Sequence, residues 1–213
     1  MNKKCSLFII LIFFCFYGNS QNTYKPETQV GVKMGATISS VRFDPKVNQN
    51  LNIGFIGGLS FKHIEEKGLG VQIELNYLQA GWDEKLDSSK SYSRRLNSIQ
   101  LPFMTHFNFG NNKSRVFINL GSYLSYLLSE GESIENISKE EEKEYYRKEI
   151  ANKTEFGLCM GLGFTQYTSV GIFQIEGRGN IGFSDIFDNN NESSITASKN
   201  MIIEISLTYF ISL

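Results

Sequence analysis

The sequence is poor in the residues from which catalytic and metal-binding sites are most often built. Its 213 residues include only 2 His, 3 Cys and 1 Trp. A histidine-based triad or metal site would have to use His63 or His106, because the chain has no other imidazole. We therefore expect no metal and no cofactor, and the search for catalytic chemistry narrows to these two positions.

The chain also lacks an excess of one charge and any long apolar run. Its 21 Lys and Arg residues face 22 Asp and Glu residues, so no strong positive field is available to bind nucleic acid. No stretch reaches the roughly 20 consecutive apolar residues that a membrane-spanning helix needs. These shortages exclude a nucleic-acid-binding protein and a polytopic helical membrane protein.

The most apolar stretch lies at the N-terminus and has the layout of a secretory signal peptide. Two lysines precede an apolar segment over 7–17, and small or polar residues follow it. We predict a signal peptide over 1–20, cleaved after Ser20, and a short N-terminal segment over 21–28; an uncleaved anchor is the alternative. Cleavage would leave 19 basic residues, 22 acidic residues and one cysteine, Cys159, so no intrachain disulfide is expected.

The rest of the chain alternates apolar and polar residues in eight segments of about 10 residues each. Over 69–77, every odd-numbered residue is apolar and the residues between them are Gly, Gln, Glu and Asn. Strict alternation of this kind is typical of a β-strand with one apolar and one polar face. The predicted strands cover about 29–39, 53–63, 69–77, 99–109, 116–126, 156–164, 171–183 and 201–213.

The connections between these segments alternate in length. They are long at about 40–52, 82–96, 128–153 and 184–199, and short at about 64–68, 110–115 and 168–170. Outer-membrane barrels have short periplasmic turns and long external loops, and an even strand number places both termini in the periplasm. The predicted fold class is all-β, an eight-stranded antiparallel up-and-down transmembrane β-barrel over 29–213.

Alternation alone does not say which face of the barrel is inside. A soluble lipocalin-like carrier would turn its apolar face inward and its polar face to water. A water-facing surface is about 25–35% charged, whereas the polar faces here hold roughly six charges in about forty positions. The sequence therefore favours a barrel in the bacterial outer membrane, with lipid as the partner of its apolar face. The soluble carrier is the alternative.

Aromatic residues lie near the ends of several predicted strands. Outer-membrane barrels carry girdles of aromatic side chains at the two membrane interfaces. We expect these girdles to include Tyr77, Trp82, Tyr126, Tyr167 and Tyr209.

Four short motifs are spaced across the predicted barrel. They are YLQAG at 77–81, SIQLP at 98–102, EFGL at 155–158 (followed by Gly161 and Gly163) and EGRGNIGF at 176–183. In order and spacing they resemble the PorT-like outer-membrane β-barrel proteins of Bacteroidetes-type bacteria. The resemblance extends over about 29–213 and implies an eight-stranded outer-membrane barrel, linked to protein secretion in some relatives. It transfers no catalytic residues, because the shared residues are architectural.

Five charged residues would point into the lumen of the predicted barrel. They are Lys33, Glu74, Glu176, Arg178 and Glu204. Closure makes the first and last strands neighbours, which brings Lys33 towards Glu204. Buried charges must be paired, and eight strands leave little room for a channel. We therefore favour a structural ion-pair plug over a proton or ion path.

Both histidines lie towards short turns of the predicted topology. Catalysis would need a nucleophile and an orienting acid that converge with a histidine at the outer rim. Because His63 and His106 would lie at the opposite end, we predict that the protein is not an enzyme; an outer-membrane enzyme is the alternative. The oxygen-rich stretch 185–194 lacks the spaced acids of a calcium loop, which indicates a solvated external loop.

The long connection over 128–153 is strongly charged. A capping-box pattern at its centre predicts a short exposed helix over about 139–150. On this helix Tyr145 and Tyr146 would contact a partner protein; a solvated charged loop is the alternative.

The seventh predicted strand has two glycines on its apolar face. Gly177 and Gly179 would leave a flat patch facing lipid, on which another membrane protein could dock. Together these features predict a non-enzymatic outer-membrane barrel that acts as a scaffold or as a component of an envelope assembly. The link to protein secretion is implied by the resemblance alone.

Overall fold

A computed structural model describes most of the chain. It covers residues 24–85, 90–138, 146–147, 149–187 and 197–213. The signal peptide predicted over 1–20, Tyr145 and most of the helix predicted over 139–150 lie outside the described residues. Within the described part of the chain, no helix is long and apolar enough to cross a membrane.

Eight antiparallel strands form a closed barrel, which confirms the predicted fold class. Each strand pairs with its neighbours in the chain, and β1 pairs with β8 to close the ring. The strands are β1 Glu27–Asp44, β2 Asn52–Glu66, β3 Leu69–Lys85, β4 Ser91–Gly110, β5 Ser114–Glu135, β6 Thr154–Thr168, β7 Gly171–Gly182 and β8 Ala197–Ser212.

An apolar belt covers the outside of the barrel. Along β8, the odd-numbered side chains from Met201 to Ile211 are 38–58% exposed, whereas the even-numbered ones between them are buried. Ten residue steps of about 3.3 Å at a tilt of about 40° span about 25 Å, the height of the apolar band of an outer-membrane barrel. This arrangement is the reverse of a lipocalin-like carrier, which turns its apolar residues inward.

The strands continue beyond the belt at the end that carries the long connections, here called the long-loop end. β3 extends to Lys85 and β4 begins at Ser91, so most of the loop predicted over 82–96 is strand. On β1 the inward residues change from Thr37 and Ser39 to the apolar Val41 and Phe43. The faces exchange polarity here because the strands leave the lipid.

The apolar side chains above the belt form one buried cluster inside the barrel, here called the aromatic cap. Its members are Val41, Phe43, Trp82, Tyr92, Leu96, Tyr146, Ile150, Ile186 and Phe187. The ring centres of Phe43 and Trp82 are 5.4 Å apart in an edge-to-face arrangement, and those of Trp82 and Phe187 are 6.1 Å apart. The cap closes the lumen at the long-loop end.

The aromatic girdles contain only some of the predicted residues. Tyr77, Tyr126 and Tyr209 face outward and are 38–51% exposed. The prediction was wrong for Trp82, which is fully buried in the aromatic cap. It was also wrong for Tyr167, whose hydroxyl donates to Glu27 inside the barrel at the opposite, short-turn end.

Candidate functional site

The middle of the lumen holds a network of ion pairs between four strands. Arg178 Nη2 on β7 lies 2.7 Å from Glu74 Oε1 on β3 and 2.9 Å from Glu176 Oε2. Arg178 Nε lies 3.1 Å from Glu204 Oε1 on β8. Lys33 Nζ on β1 lies 3.0 Å from Glu74 Oε2 and 3.4 Å from Glu204 Oε2. The structure thus brings all five predicted lumen residues into one cluster, here called the lumen network.

Neutral amides donate hydrogen bonds to two carboxylates of the lumen network, Glu74 and Glu176. Gln72 Nε2 and Asn76 Nδ2 donate to Glu74 over 2.6 and 2.8 Å. Asn119 Nδ2 donates to Glu176 over 3.0 Å. The network contains three carboxylates and two cations, and each of its charged side chains is at most 1% exposed. Such a cluster depends on every partner, because removal of one cation leaves buried carboxylates without compensation.

Strand β6 provides the space that the lumen network fills. Its inward residues between Gly157 and Gly163 are small, and the buried thiol of Cys159 is among them. A Cβ added to Gly161 would overlap Glu176 Oε1, so this position requires glycine for the carboxylate to reach Arg178.

Two more titratable side chains lie in the lumen beside the network. Lys62 Nζ donates to Gln174 Oε1 over 2.7 Å and lies 4.2 Å from the ring centre of Phe210. His106 is 1% exposed, and its Nδ1 lies 2.8 Å from Asn119 Oδ1. The alternation places both side chains inside, but their partners come from distant strands and could not be read from spacing.

A third cluster closes the lumen at the short-turn end. The Arg115 guanidinium donates to both oxygens of the Glu27 carboxylate, over 2.8 and 3.0 Å. The hydroxyls of Tyr24 and Tyr167 donate to the same carboxylate over 2.7 and 2.9 Å. Burial, together with the neighbouring Glu27 carboxylate, raises the pKa of Tyr24. Sequence reasoning missed this cluster because Glu27 and Arg115 lie at the outermost ends of their strands, beyond the clear alternation.

His63 lies on the outer face at the short-turn end. Its Nδ1 is 2.8 Å from Thr28 Oγ1, and its Nε2 is 2.8 Å from Glu65 Oε2. A hydroxyl, an imidazole and a carboxylate are therefore aligned in the order used by hydrolases. The Glu65 side chain is 70% exposed, so solvent weakens its hold on the imidazole.

The predicted partner contact through Tyr146 is wrong. Its side chain is 5% exposed and its ring stacks on that of Tyr92, with the ring centres 3.9 Å apart. The Tyr146 hydroxyl donates to Glu84 over 3.2 Å, and burial beside this carboxylate raises the pKa of the phenol. Tyr146 and Ile150 pack in the aromatic cap because their apolar side chains find a core there. The neighbouring Tyr145 lies outside the described residues.

The two glycines of β7, Gly177 and Gly179, are successive outward residues of this strand on the apolar belt. Gly177 pairs with Leu162 of β6 and Ile205 of β8. A Cβ added to Gly177 or Gly179 would meet no atom within 4 Å. They form the floor of a shallow groove between larger side chains, here called the glycine groove.

No metal site is present among the described residues, where His, Cys, Asp and Glu side chains nowhere gather in a group of three or more that could hold an ion. The structure describes the first three residues of the oxygen-rich stretch 185–194. Ile186 and Phe187 are buried in the aromatic cap, which corrects the prediction of a fully solvated loop. The remainder of the stretch, 188–194, lies outside the described residues.

Comparison with protein families places the sequence among bacterial outer-membrane barrels. A family model described as the outer membrane protein beta-barrel domain matches residues 19–188, a range that includes β1 to β7. No curated protein matches the chain.

Three solved structures of bacterial outer-membrane proteins are similar to this chain at 12–13% sequence identity. OprG of Pseudomonas aeruginosa is 12% identical, with 88% of this chain and 96% of OprG covered and a TM-score of 0.49. Ail, the attachment invasion locus protein of Yersinia pestis, is 13% identical, with 87% and 99% covered and a TM-score of 0.45. The outer membrane enzyme PagL is 12% identical, with 85% and 99% covered and a TM-score of 0.47. Likenesses this distant transfer no function.

Proposed function

Because the chain belongs to the outer membrane protein beta-barrel domain family, we propose that it is a non-catalytic scaffold within an envelope assembly. The observation that carries this proposal is the filled interior. The aromatic cap, the lumen network and the Glu27–Arg115 cluster occupy the lumen at three successive levels. A barrel filled in this way offers its outer face and its loops, rather than its lumen, to other molecules.

The orientation follows from the connections. Outer-membrane barrels place their short turns in the periplasm and their longer loops outside the cell. With this orientation the aromatic cap is extracellular, and both termini are periplasmic. A signal peptide over 1–20, cleaved after Ser20, delivers the chain to the periplasm for insertion.

The finer form of the proposal is a PorT-like component of a protein-secretion assembly. It is supported by the four motifs and by the glycine groove, whose floor at Gly177 and Gly179 is open. A lipid-facing strand or helix of a partner could approach the β7 backbone closely here, because no side chain keeps it away.

Purification from the outer membrane in mild detergent tests this proposal. Wild-type protein should resist extraction by carbonate and should co-elute with at least one envelope protein. Gly177→Phe with Gly179→Phe should abolish co-elution while the barrel still folds, and Leu120→Phe, a lipid-facing change on β5, should leave co-elution intact. Co-elution that survives filling of the groove would contradict the assigned contact. Release by carbonate would contradict the membrane barrel.

An outer-membrane hydrolase is the second candidate, favoured by the alignment of Thr28, His63 and Glu65. Thr28 and His63 are direct partners in the β1–β2 ladder, where strand pairing uses backbone amides that would otherwise stabilise an oxyanion. Incubation with a fluorescent acyl ester and with a fluorophosphonate probe decides between the candidates. Turnover or labelling that is lost in His63→Ala would establish the hydrolase, and equal background in both proteins would support the scaffold.

A further inference from the structure

Two cations face each other across the strand pair that closes the barrel. Arg42 on β1 and Lys199 on β8 are direct partners in the β-ladder. Both side chains point outward, because their neighbours along each strand are buried in the interior. Directly opposed residues have their Cβ atoms about 5 Å apart, and like charges in such positions destabilise a sheet. Lys46, exposed on the β1–β2 connection, adds a third cation.

These three cations lack the carboxylate ion pairs that other cations of the described residues form. Arg94 pairs with Glu130, and Arg115 pairs with Glu27. In the described part of the chain, none of the ion pairs or side-chain hydrogen bonds involves Arg42, Lys46 or Lys199. A ligand of negative charge would relieve the repulsion between these opposed cations.

The three cations line one groove on the outer surface. The groove has a volume of about 920 Å³ and lies between the β1–β2 connection and β8. Its wall is fixed, because the Gln49 side chain bonds to both the N–H and the carbonyl of Val41 and so holds the connection against β1. Asp44 is the only carboxylate in the lining, so the groove carries a net charge of +2 from described residues.

The groove lies at the upper edge of the apolar belt. Its lining includes Leu51 and Met201, which are 66% and 44% exposed, and the belt continues below them. Lys199 therefore lies one outward position beyond the lipid-facing Met201 on β8, with Arg42 opposite it, at the level of lipid headgroups.

We propose that Arg42, Lys199 and Lys46 bind the phosphate group of a lipid of the outer leaflet, whose acyl chains lie along Leu51 and Met201. The inference rests on the proposed orientation, which places the long-loop end outside the cell. Guanidinium and ammonium groups bind phosphate oxygens through charge-assisted hydrogen bonds, and the apolar belt below the groove distinguishes a lipid from a soluble anion. The bound lipid would neutralise the opposed cations where the barrel closes.

Native mass spectrometry of the folded mature chain in a non-ionic detergent tests the site. Monophosphoryl lipid A should be retained at one molecule per barrel, and phosphatidylcholine should not. Arg42→Glu with Lys199→Glu should weaken lipid A binding by about tenfold or more, because two charge-assisted contacts become repulsive. Arg95→Glu is the matched control and should bind as wild type, since Arg95 is an exposed, outward cation of β4 that does not line the groove.

Three results would overturn the site: equal binding by the double variant, equal retention of phosphatidylcholine, or displacement of lipid A by millimolar inorganic phosphate. Displacement would mean that the groove binds free anions. If the double glutamate variant does not fold, Arg42→Gln with Lys199→Gln makes the same test with a smaller expected loss. Wild-type protein that resists carbonate but retains no lipid A contradicts this site alone, whereas release by carbonate contradicts the proposed function.

Discussion

Two levels of the barrel interior, the lumen network and the aromatic cap, differ in their chemistry. Inside the apolar belt, the lumen network consists of charged and amide side chains. Above the belt, the aromatic cap consists of Trp82, Phe43 and other apolar side chains. The difference follows the surroundings of the wall: where lipid covers the outside, apolar residues turn outward, and where water covers it, they form a conventional core.

This comparison predicts that the two levels fail in different ways. A barrel whose lumen network is broken should lose stability throughout, because β1, β3, β7 and β8 all meet at its charges. A barrel whose cap is broken should remain inserted and lose order only at the long-loop end.

The largest effect is expected for Arg178→Met. It leaves Lys33 as the one cation of the network for the buried carboxylates of Glu74 and Glu204, and leaves Glu176 without a cation of the network. The change should lower the free energy of unfolding by about 3–5 kcal/mol. Urea unfolding in detergent micelles, followed by the fluorescence of the single Trp, measures the loss. Arg178→Lys keeps the charge and should recover part of the stability; an Arg178→Met barrel as stable as wild type would show that the network is dispensable.

Trp82→Ala should weaken the cap. It should lower the free energy of unfolding of the long-loop end by about 3 kcal/mol, because it leaves a cavity where the buried indole was. The variant should still shift in electrophoretic mobility on heating, because the belt and the lumen network are untouched. Limited proteolysis should cut at the long-loop end faster than in wild type. Loss of the heat-dependent shift would mean that the two levels fold as a single unit.

The space beside the lumen network is tested by Gly161→Val. The valine side chain would overlap Glu176 Oε1. We therefore expect the free energy of unfolding, measured by urea unfolding, to fall by about 1–3 kcal/mol. Gly177→Val is the matched control in the adjacent residue pair of the β6–β7 ladder, because its side chain would enter open space on the belt. Equal stability of the two variants would contradict the tight packing of β6 on Glu176.

The smallest effect is expected for Tyr146→Phe. The change removes the hydrogen bond to Glu84 and preserves the stack on Tyr92, so it should cost about 1 kcal/mol. Amide hydrogen exchange at Arg147 and Ile150 should accelerate, whereas the exchange rates of the belt strands should not change. Tyr146→Ala, which also removes the stack, should cost more; equal effects would mean that the ring contributes nothing.

The belt and the lumen network were predictable because strand alternation has a fixed period. Once β3 is known to alternate, Glu74 must point to the face opposite Leu75, and closure of the ring brings Lys33 to Glu204. The glycines of β7 followed by the same rule and lie on the outer face.

The aromatic cap was not predictable in the same way, although the sequence contains a trace of it. The alternation of Val41 and Phe43 with Arg42 and Asp44 continues past the belt, but with the polarity of the two faces exchanged. That exchange makes such residues resemble a loop or a girdle, which explains the error at Trp82. The position of Tyr146 depends on contacts with residues more than fifty positions away, which no local pattern records.

The central claim is that the odd-numbered residues of β8 face lipid and the even-numbered residues face a filled lumen. Spin labels at single cysteines replacing Ile205, Ser206, Leu207 and Thr208, in a Cys159→Ser background, test it directly in bilayers. We predict high accessibility to lipid-soluble oxygen at 205 and 207, and low accessibility to both oxygen and a water-soluble nickel complex at 206 and 208. Access of the nickel complex to 205 and 207, with no oxygen maximum there, would contradict the account.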